Sequence, residues 1–326
     1  MYDSGNTFLT IAIPTYNRPQ AIQRQVRNLL PQLIPGKTRL LVYDNASPIP
    51  VETLFTDEEK SLFIIHRNCV NIGGASNVSR CLEACCNSEW GYVPGDDDDL
   101  FPDTIVRILE QIENNPDTVF INFGCTQEET IENEDEFLTS LNQDVFSFGD
   151  ALWLSKGIYH TKLLSDFYSD LYQYGYSYAP HIVFILSYFK KNKHGTVIRL
   201  KTPLFKSGEP GGWSPFVFAQ RLMSFYYYYG VDSNNNHYSL FLHNIAKIQL
   251  NNIFFAIHKR PDIPSPSSRD VRFLLKQILC CYSLLTCLRK TPFLFLDALL
   301  YSFSPLIDQH LYSLYYNNIK KIIQKT

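Results

Sequence analysis

Four carboxylates in succession, Asp96 to Asp99, lie between an apolar approach, Trp90-Gly-Tyr-Val-Pro94, and an apolar exit, Leu100-Phe-Pro102. Like charges set so close repel one another unless a cation or polar donors neutralise them. Carboxylate oxygens are hard donors that suit a divalent cation such as Mg²⁺ or Mn²⁺, and through such an ion carboxylates can hold a phosphate-rich ligand. A calcium loop of the helix-loop-helix kind is excluded by spacing: counted from Asp96, the required turn glycine falls on Phe101 and the bidentate glutamate on Arg107.

Three further polar loops accompany the acidic run. Thr15-Tyr16-Asn17-Arg18 follows the apolar run Phe8 to Ile13, Asp44-Asn45-Ala46-Ser47 follows Arg39 to Tyr43, and Asn71-Ile72-Gly73 precedes a helical pattern. Asp44 accepts hydrogen bonds only when ionised, which suits either a ring N–H of a ligand or an Asx turn in its own loop. Gly73 has no side chain to keep a ligand from the backbone.

The elements that must position these loops read as alternating strands and helices. Phe8 to Ile13, Arg39 to Tyr43, Leu62 to His66 and Trp90 to Pro94 are β-branched or apolar runs closed by turn formers. Helices are expected from Pro19 to about Leu33, from about Asn71 to Cys86, and from Pro102 to about Asn114. Such alternation calls for a parallel or mostly parallel sheet flanked by helices, with the polar loops gathered at the strand C-termini on one edge. Further on, Val119 to Phe123, Gly157 to His160 and Thr196 to Leu200 read as strands. Asp150 to Ser155 reads as a short helix, and a longer one opens at Pro180 and runs to Lys191. The segment Glu128 to Glu136, with six carboxylates in nine residues, reads as a solvated loop. Pro261 to Ser268 reads as a linker, with Ser267 and Asp270 capping a helix that follows.

A chain of 326 residues that is 45% hydrophobic can bury a large core, and a formal charge of −3 gives no footprint for nucleic acid. Its start lacks the basic and then apolar pattern of a signal peptide, and the eight cysteines fall singly or as adjacent pairs, which suits free thiols in a cytoplasm. The apolar run Ile278 to Leu288 is shorter than the ~20 residues a bilayer requires.

Taken in order, Ile13-Pro-Thr-Tyr-Asn-Arg18, Leu41-Val-Tyr-Asp-Asn-Ala-Ser47, Asn71-Ile-Gly73 and Gly95-Asp-Asp-Asp98 make the chain resemble the nucleotide-sugar glycosyltransferases of family 2, which have the GT-A fold. The resemblance is good over about residues 7 to 125, fades through 215 and is absent beyond. It implies an α/β, Rossmann-like sheet in a transferase domain over 1–215; beyond it the residue pattern itself reads as a C-terminal helical region, a helical continuation over 216–262 and a helical subdomain over 263–326. The resemblance implies that Pro14, Thr15, Tyr16 and Arg18 line a nucleotide pocket, that Asp44 accepts from the base, and that Asn71 and Gly73 edge the ribose and diphosphate. The family's metal motif usually reads Asp-x-Asp-Asp, and its first Asp falls where this chain has Gly95. Asp98 is then the firmest metal ligand, paired either with Asp96, the first choice, or with Asp97, and Asp96 and Asp97 share the ribose and remaining metal contacts.

An inverting transfer needs a general base, which in that family is a carboxylate at the start of a later helix. This chain has Tyr178-Ala-Pro-His181 there, so His181 is the candidate, kept neutral by the helix N-terminus, with Asp166 and Asp170 in reserve. Trp213, in the turn-rich loop Gly208 to Pro215, reads as a lid or sugar-stacking ring, or else as a core anchor. The run Tyr226 to Tyr229 reads equally as acceptor platform or packing. The resemblance implies a metal-dependent, inverting transfer from a nucleoside diphosphate sugar, UDP-linked by preference, to a glycan or lipid-linked glycan. The alternatives are a relative that binds without catalysis and a sugar-1-phosphate nucleotidyltransferase, which should carry a Gly-rich basic loop after its first strand. The aromatic C-terminal helices, ending in Ile319 to Lys325, suit either packing on the catalytic domain or peripheral contact with a membrane.

Overall fold

The structure is a computed structural model and describes residues 8–142, 145–206, 214–228, 236–258, 265–281 and 292–303. Strand β1 (Leu9–Thr15) is an almost wholly buried run, as expected of a strand covered on both faces. Helix α1 (Pro19–Leu29) follows with proline in its first turn, and buries Ile22, Val26 and Leu29 at helical spacing. Strand β2 (Thr38–Asp44) pairs parallel with β1 from Leu9 opposite Thr38 to Thr15 opposite Asp44, so the two strands end level. The single-turn helix α2 (Asp57–Lys60), closed by a Thr56–Glu59 capping box, leads to β3 (Ile64–Arg67). Helix α3 (Gly74–Ala84) then returns the chain to β4 (Trp90–Tyr92), which pairs parallel with β1 on its other side.

The strand order β3-β2-β1-β4 reverses at β1: the chain first builds outward to β3, then crosses back to place β4 beside β1. In an open α/β sheet the crevice at such a reversal is where the strand-end loops part and a ligand fits. The acidic run leaves β4 at that crevice. Its last carboxylate, Asp99, is drawn off into β5 (Asp99–Leu100), a two-residue strand.

Helix α4 (Thr104–Asn114) buries Ile105, Ile108, Leu109 and Ile112 in the same apolar cluster as the inner face of α1. The remaining sheet consists of β6 (Thr118–Asn122), β7 (Glu129–Asn133), β8 (Gly157–His160) and β9 (His194–Arg199). Strand β8 runs antiparallel to both β4 and β6, β9 parallel to β6, and β7 antiparallel at the far edge. The result is an eight-stranded, mostly parallel sheet with helices packed on it.

The segment Glu128 to Glu136 corrects the expectation of a solvated loop, since it forms edge strand β7 and the first turn of α5 (Glu134–Asn142). Its charge is tolerated because Glu129 pairs at 2.9 Å with Arg199, a buried guanidinium on the neighbouring strand. Helices α6 (Val145–Leu152), α7 (Tyr168–Gln173) and α8 (Pro180–Asn192) cover this half, and β10 (Phe205–Lys206) pairs with β5.

Contacts divide the chain into two compact units, Met1–Gly212 with Asn235–Phe241, and Trp213–Asn234 with Leu242–Thr326. In the second unit, α9 (Pro215–Arg221), α10 (Ser224–Tyr228), most of α11 (Asn236–His258), α12 (Ser268–Cys281) and α13 (Pro292–Ser302) are described. An apolar cluster including Phe216, Leu250, Ile253, Leu274 and Phe295 joins them. Ser267 caps α12 by accepting from the Asp270 N–H at 3.1 Å. Tyr228 is buried and Tyr226 bonds Gln249, so these two rings of the tyrosine run pack within the unit, while Tyr227 is exposed. No described helix is long and apolar enough to cross a membrane, and Cys69, Cys81, Cys85, Cys86, Cys125 and Cys280 are free thiols. Trp213, most of the expected linker and the segment Ile319 to Lys325 lie outside the described residues.

Candidate active site

The loop after β1 and the loop after β4 are joined side chain to side chain. Thr15 Oγ1 donates to Asp96 Oδ2 at 2.6 Å, and Arg18 Nη1 lies 3.0 Å from Asp96 Oδ1 and 2.6 Å from Asp97 Oδ2. Burial alternates along the acidic run, with Asp96 and Asp98 turned inward and Asp97 half-exposed. Desolvation raises the carboxyl pKa of Asp96, opposed by the Thr15 hydrogen bond and the charge of Arg18. Asp98 is likewise raised by desolvation, opposed by hydrogen bonds from the Ser155 hydroxyl and the Gly95 N–H, the latter at 2.7 Å. The repulsion expected within the run is thus relieved by protein donors, one set for each inward carboxylate.

Gly95 leaves room for the two carboxylates beside it. A Cβ at this position would stand 2.9 Å from Asp98 Oδ2 and 3.0 Å from Asp97 Oδ1. A side chain at residue 95 would push these carboxylate ends away from where they now lie, Asp98 Oδ2 over the Gly95 N–H among them.

Three amide side chains of α1 hold the same segment from behind. Gln25 donates to the Gly95 carbonyl at 3.1 Å and Asn28 to the Leu100 carbonyl at 2.7 Å; beyond the helix end, Gln32 donates to the Phe101 carbonyl at 3.1 Å. Gln32 also accepts from the Ile105 N–H at 3.1 Å. Residues 25, 28 and 32 share one helical face, so a polar stripe on a buried face was the signal that could have found them.

A second network organises the loops after β2 and before α3. Asn45 donates to Asn71 Oδ1 at 2.8 Å and its own Oδ1 accepts from Asn68 and the Ile72 N–H, both at 3.0 Å. Asn71 Oδ1 also accepts from the Gly73 N–H at 2.9 Å. Gly73 has φ +85 and open space where a Cβ would be, so the backbone before α3 is bare on that side. Asn17 and Ala46, in the two neighbouring loops, also have positive φ, at 55 and 61, a costly conformation that concentrates at functional sites.

Asp44 is fully buried. Its Oδ1 accepts from the Ser47 N–H at 2.8 Å and its Oδ2 from the Val51 N–H at 3.3 Å, and it pairs with Arg67. These contacts are those of a carboxylate shaping its own loop. A small cleft beside it is lined by Thr15, Asn17, Arg18, Ser47 and Ile49, among others, with the Tyr16 ring exposed in the same loop and Pro14 half-buried behind it.

His181 does lie in the first turn of α8, as expected, but only 1% of it is exposed. Its Nε2 meets the Ala151 carbonyl at 2.9 Å, a bond that needs a proton on Nε2, and its Nδ1 has no hydrogen-bond partner. Burial lowers its pKa to about 4, with the Ala151 carbonyl opposing. Such an imidazole pins α8 to the end of α6 and offers no exposed nitrogen to a sugar hydroxyl. Of the two reserve carboxylates, Asp166 pairs with Lys191 at 2.7 Å on the surface and Asp170 is half-exposed on α7. Among the described residues, no three His, Cys, Asp or Glu side chains are gathered as a ready metal-ligand set.

The family model described as glycosyl transferase family 2 matches residues 10–175. No curated protein matches. Among solved structures, S. aureus TarS 1–349 in complex with UDP-GlcNAc is similar over 85% of this chain and 82% of that one, at 15% identity and a TM-score of 0.58. TarS 1–349 itself aligns over 90% of this chain and 89% of its own, at 15% identity and a TM-score of 0.60. Its UDP complex aligns over 91% and 88%, at 14% identity and a TM-score of 0.60. These likenesses establish a shared GT-A fold. With the family match spanning half of the chain and every strand-end loop that converges on the crevice, this protein belongs to glycosyl transferase family 2 and is a glycosyltransferase.

Proposed function

We propose that this glycosyltransferase moves a sugar, with inversion, from a nucleoside diphosphate sugar, UDP-linked in the first instance, to a hydroxyl of a glycan or lipid-linked glycan. The observation that carries the reading is the junction of Thr15 and Arg18 with Asp96 across the β1–β4 crevice, with Asp98 turned inward beside it. The UDP-GlcNAc complex of the similarly folded TarS supports the choice of donor.

The carboxylates fit a divalent cation, Mn²⁺ or Mg²⁺: they are hard donors, two of them turn inward together, and both are buried where an added positive charge is favoured. Asp98 and Asp96 would hold it, and when bound it supplies positive charge to the departing diphosphate. Arg18 adds a planar fork that suits phosphate as well as carboxylate, and its half-exposed side chain leaves it reachable by a donor. Asn71 and Gly73 present bare backbone to the ribose and diphosphate, while Pro14, Tyr16 and the loop shaped by Asp44 border the base. Measuring UDP, GDP and dTDP release from a panel of donors, with and without Mn²⁺, tests the reading. Release from one donor class that requires the cation is the expected result, and no release from any donor sinks it.

A further inference from the structure

The segment from Tyr172 to Ala179, Tyr-Gln-Tyr-Gly-Tyr-Ser-Tyr-Ala, turns its large residues outward and its small ones inward. Gly175, Ser177 and Ala179 are buried, whereas Tyr172, Tyr176 and Tyr178 are each 44% exposed and Tyr174 is partly so. Burial of apolar area drives the opposite arrangement, so a row of outward rings calls for something to cover it.

The row is also held at a cost. Tyr178 has φ 61, the left-handed region that a bulky side chain rarely enters. Ser177 fixes the turn by accepting from the Ala179 N–H at 3.0 Å, and Pro180 then starts α8. The small inward residues are what let the segment lie against α3: a Cβ on Gly175 would stand 3.2 Å from Ser79 Oγ.

The segment's course leads to the donor crevice. Tyr168 donates to the Leu82 carbonyl and Tyr172 bonds Glu83, both near the C-terminus of α3. Gly175 is level with Ser79, so the chain ascends α3 toward its N-terminus, which begins beside Gly73. Tyr176 and Tyr178 follow Gly175 in that direction. From 171 to 180 there is no charged residue. A polyanion or an anionic membrane surface needs basic partners, and neither is served by this segment. Tyrosine rings instead offer flat apolar faces with hydroxyls at the tip, which suit a ligand that is apolar on its ring faces and hydroxylated at its edges.

On that basis, and resting on the donor reading above, we infer that Tyr176 and Tyr178 form a rim that binds a neutral saccharide chain, the acceptor glycan, beside the donor site. The full chain and its Tyr176→Ala and Tyr178→Gly variants, the second relieving the backbone strain, can be titrated with cellohexaose, chitohexaose, maltohexaose and mannohexaose by saturation-transfer NMR. UDP, GDP and dTDP are titrated in the same samples. The expected result is millimolar binding of at least one oligosaccharide, about tenfold weaker in either variant, the loss of one stacked ring, with nucleotide affinity unchanged. Equal oligosaccharide binding in wild type and variants overturns the inference, as does nucleotide binding without binding of any oligosaccharide. A chain that binds no nucleoside diphosphate overturns the donor reading, and this one with it.

Discussion

Thr15 Oγ1 donates to Asp96 Oδ2 at 2.6 Å, linking the end of the first strand to an acidic loop that leaves the fourth. Both residues are buried, so the hydroxyl is a main reason that Asp96 can remain ionised against its desolvation. In Thr15→Val that oxygen loses its donor to an apolar side chain of the same size, which costs roughly 1–3 kcal/mol for an unsatisfied buried group. The Asp96 carboxyl then rises further, and affinity for nucleoside diphosphate in the presence of Mn²⁺ falls by about 5- to 100-fold. Isothermal titration with UDP and Mn²⁺ reads the change; an unaltered Kd would show that Asp96 does not serve the ligand.

Asp98 is the carboxylate that Arg18 leaves alone, and its own donors are the Gly95 N–H and the Ser155 hydroxyl. Removing a preorganised charge of this kind costs on the order of 10²–10³ in turnover. Asp98→Asn keeps the shape and one acceptor oxygen for the Gly95 N–H, so its melting temperature should change little while cation-dependent nucleotide release collapses. Turnover within threefold of wild type at saturating Mn²⁺ would remove Asp98 from the site.

Much of the fold was legible because apolar runs end on proline or turn formers at Ile13-Pro14, Tyr43-Asp44 and Val93-Pro94, and because the first and last of these are followed by a helical pattern. What could not be read is whatever depends on which way a helix is turned or on a partner far along the chain. Gln25, Asn28 and Gln32 look like ordinary surface amides until α1 is rotated against the loop from 95 to 101. Ser155 reaches the acidic run from sixty residues away, and Glu129, in its edge strand, is paired with Arg199, seventy residues on. The role expected of His181 failed to anticipate its burial for the same reason: a first-turn position fixes the helix end but not whether that end faces solvent or the core.

The α1 amides make a separable prediction. Gln25→Leu removes the donor to the Gly95 carbonyl but keeps the helix apolar and well formed, so the buried carbonyl is left unpaired at roughly 1–3 kcal/mol. Because that carbonyl belongs to the turn that folds Asp98 back, kcat should fall about tenfold, with a drop in melting temperature of a few degrees. Asn115→Ala removes the Nδ2 donor at the end of α4, an amide of the same class that bonds the Gln111 carbonyl of its own helix, and serves as control for loss of stability alone. Equal kcat in the two variants would show that the α1 amides stabilise the fold without positioning the carboxylates.

His181 gives the pH prediction. The folded imidazole titrates at about 4, against 6.5 for the exposed side chain, because burial disfavours its cation. Below pH 6.5 the unfolded chain takes up a proton that the folded chain refuses, so stability is complete above pH 6.5, declines as pH falls toward 4 and levels off beneath it. The total is about 3 kcal/mol at 1.36 kcal/mol per pH unit. Urea denaturation of wild type and His181→Asn between pH 4 and 8 should show this slope in the first and a flatter profile in the second, after the common contribution of the carboxylates is subtracted. At pH 7.5 the variant should be less stable, since the core loses a fitted ring, yet its kcat should stay within threefold of wild type. If instead kcat collapses while the protein remains folded, His181 takes the acceptor's proton after all, and α8 must open to expose Nδ1 during turnover.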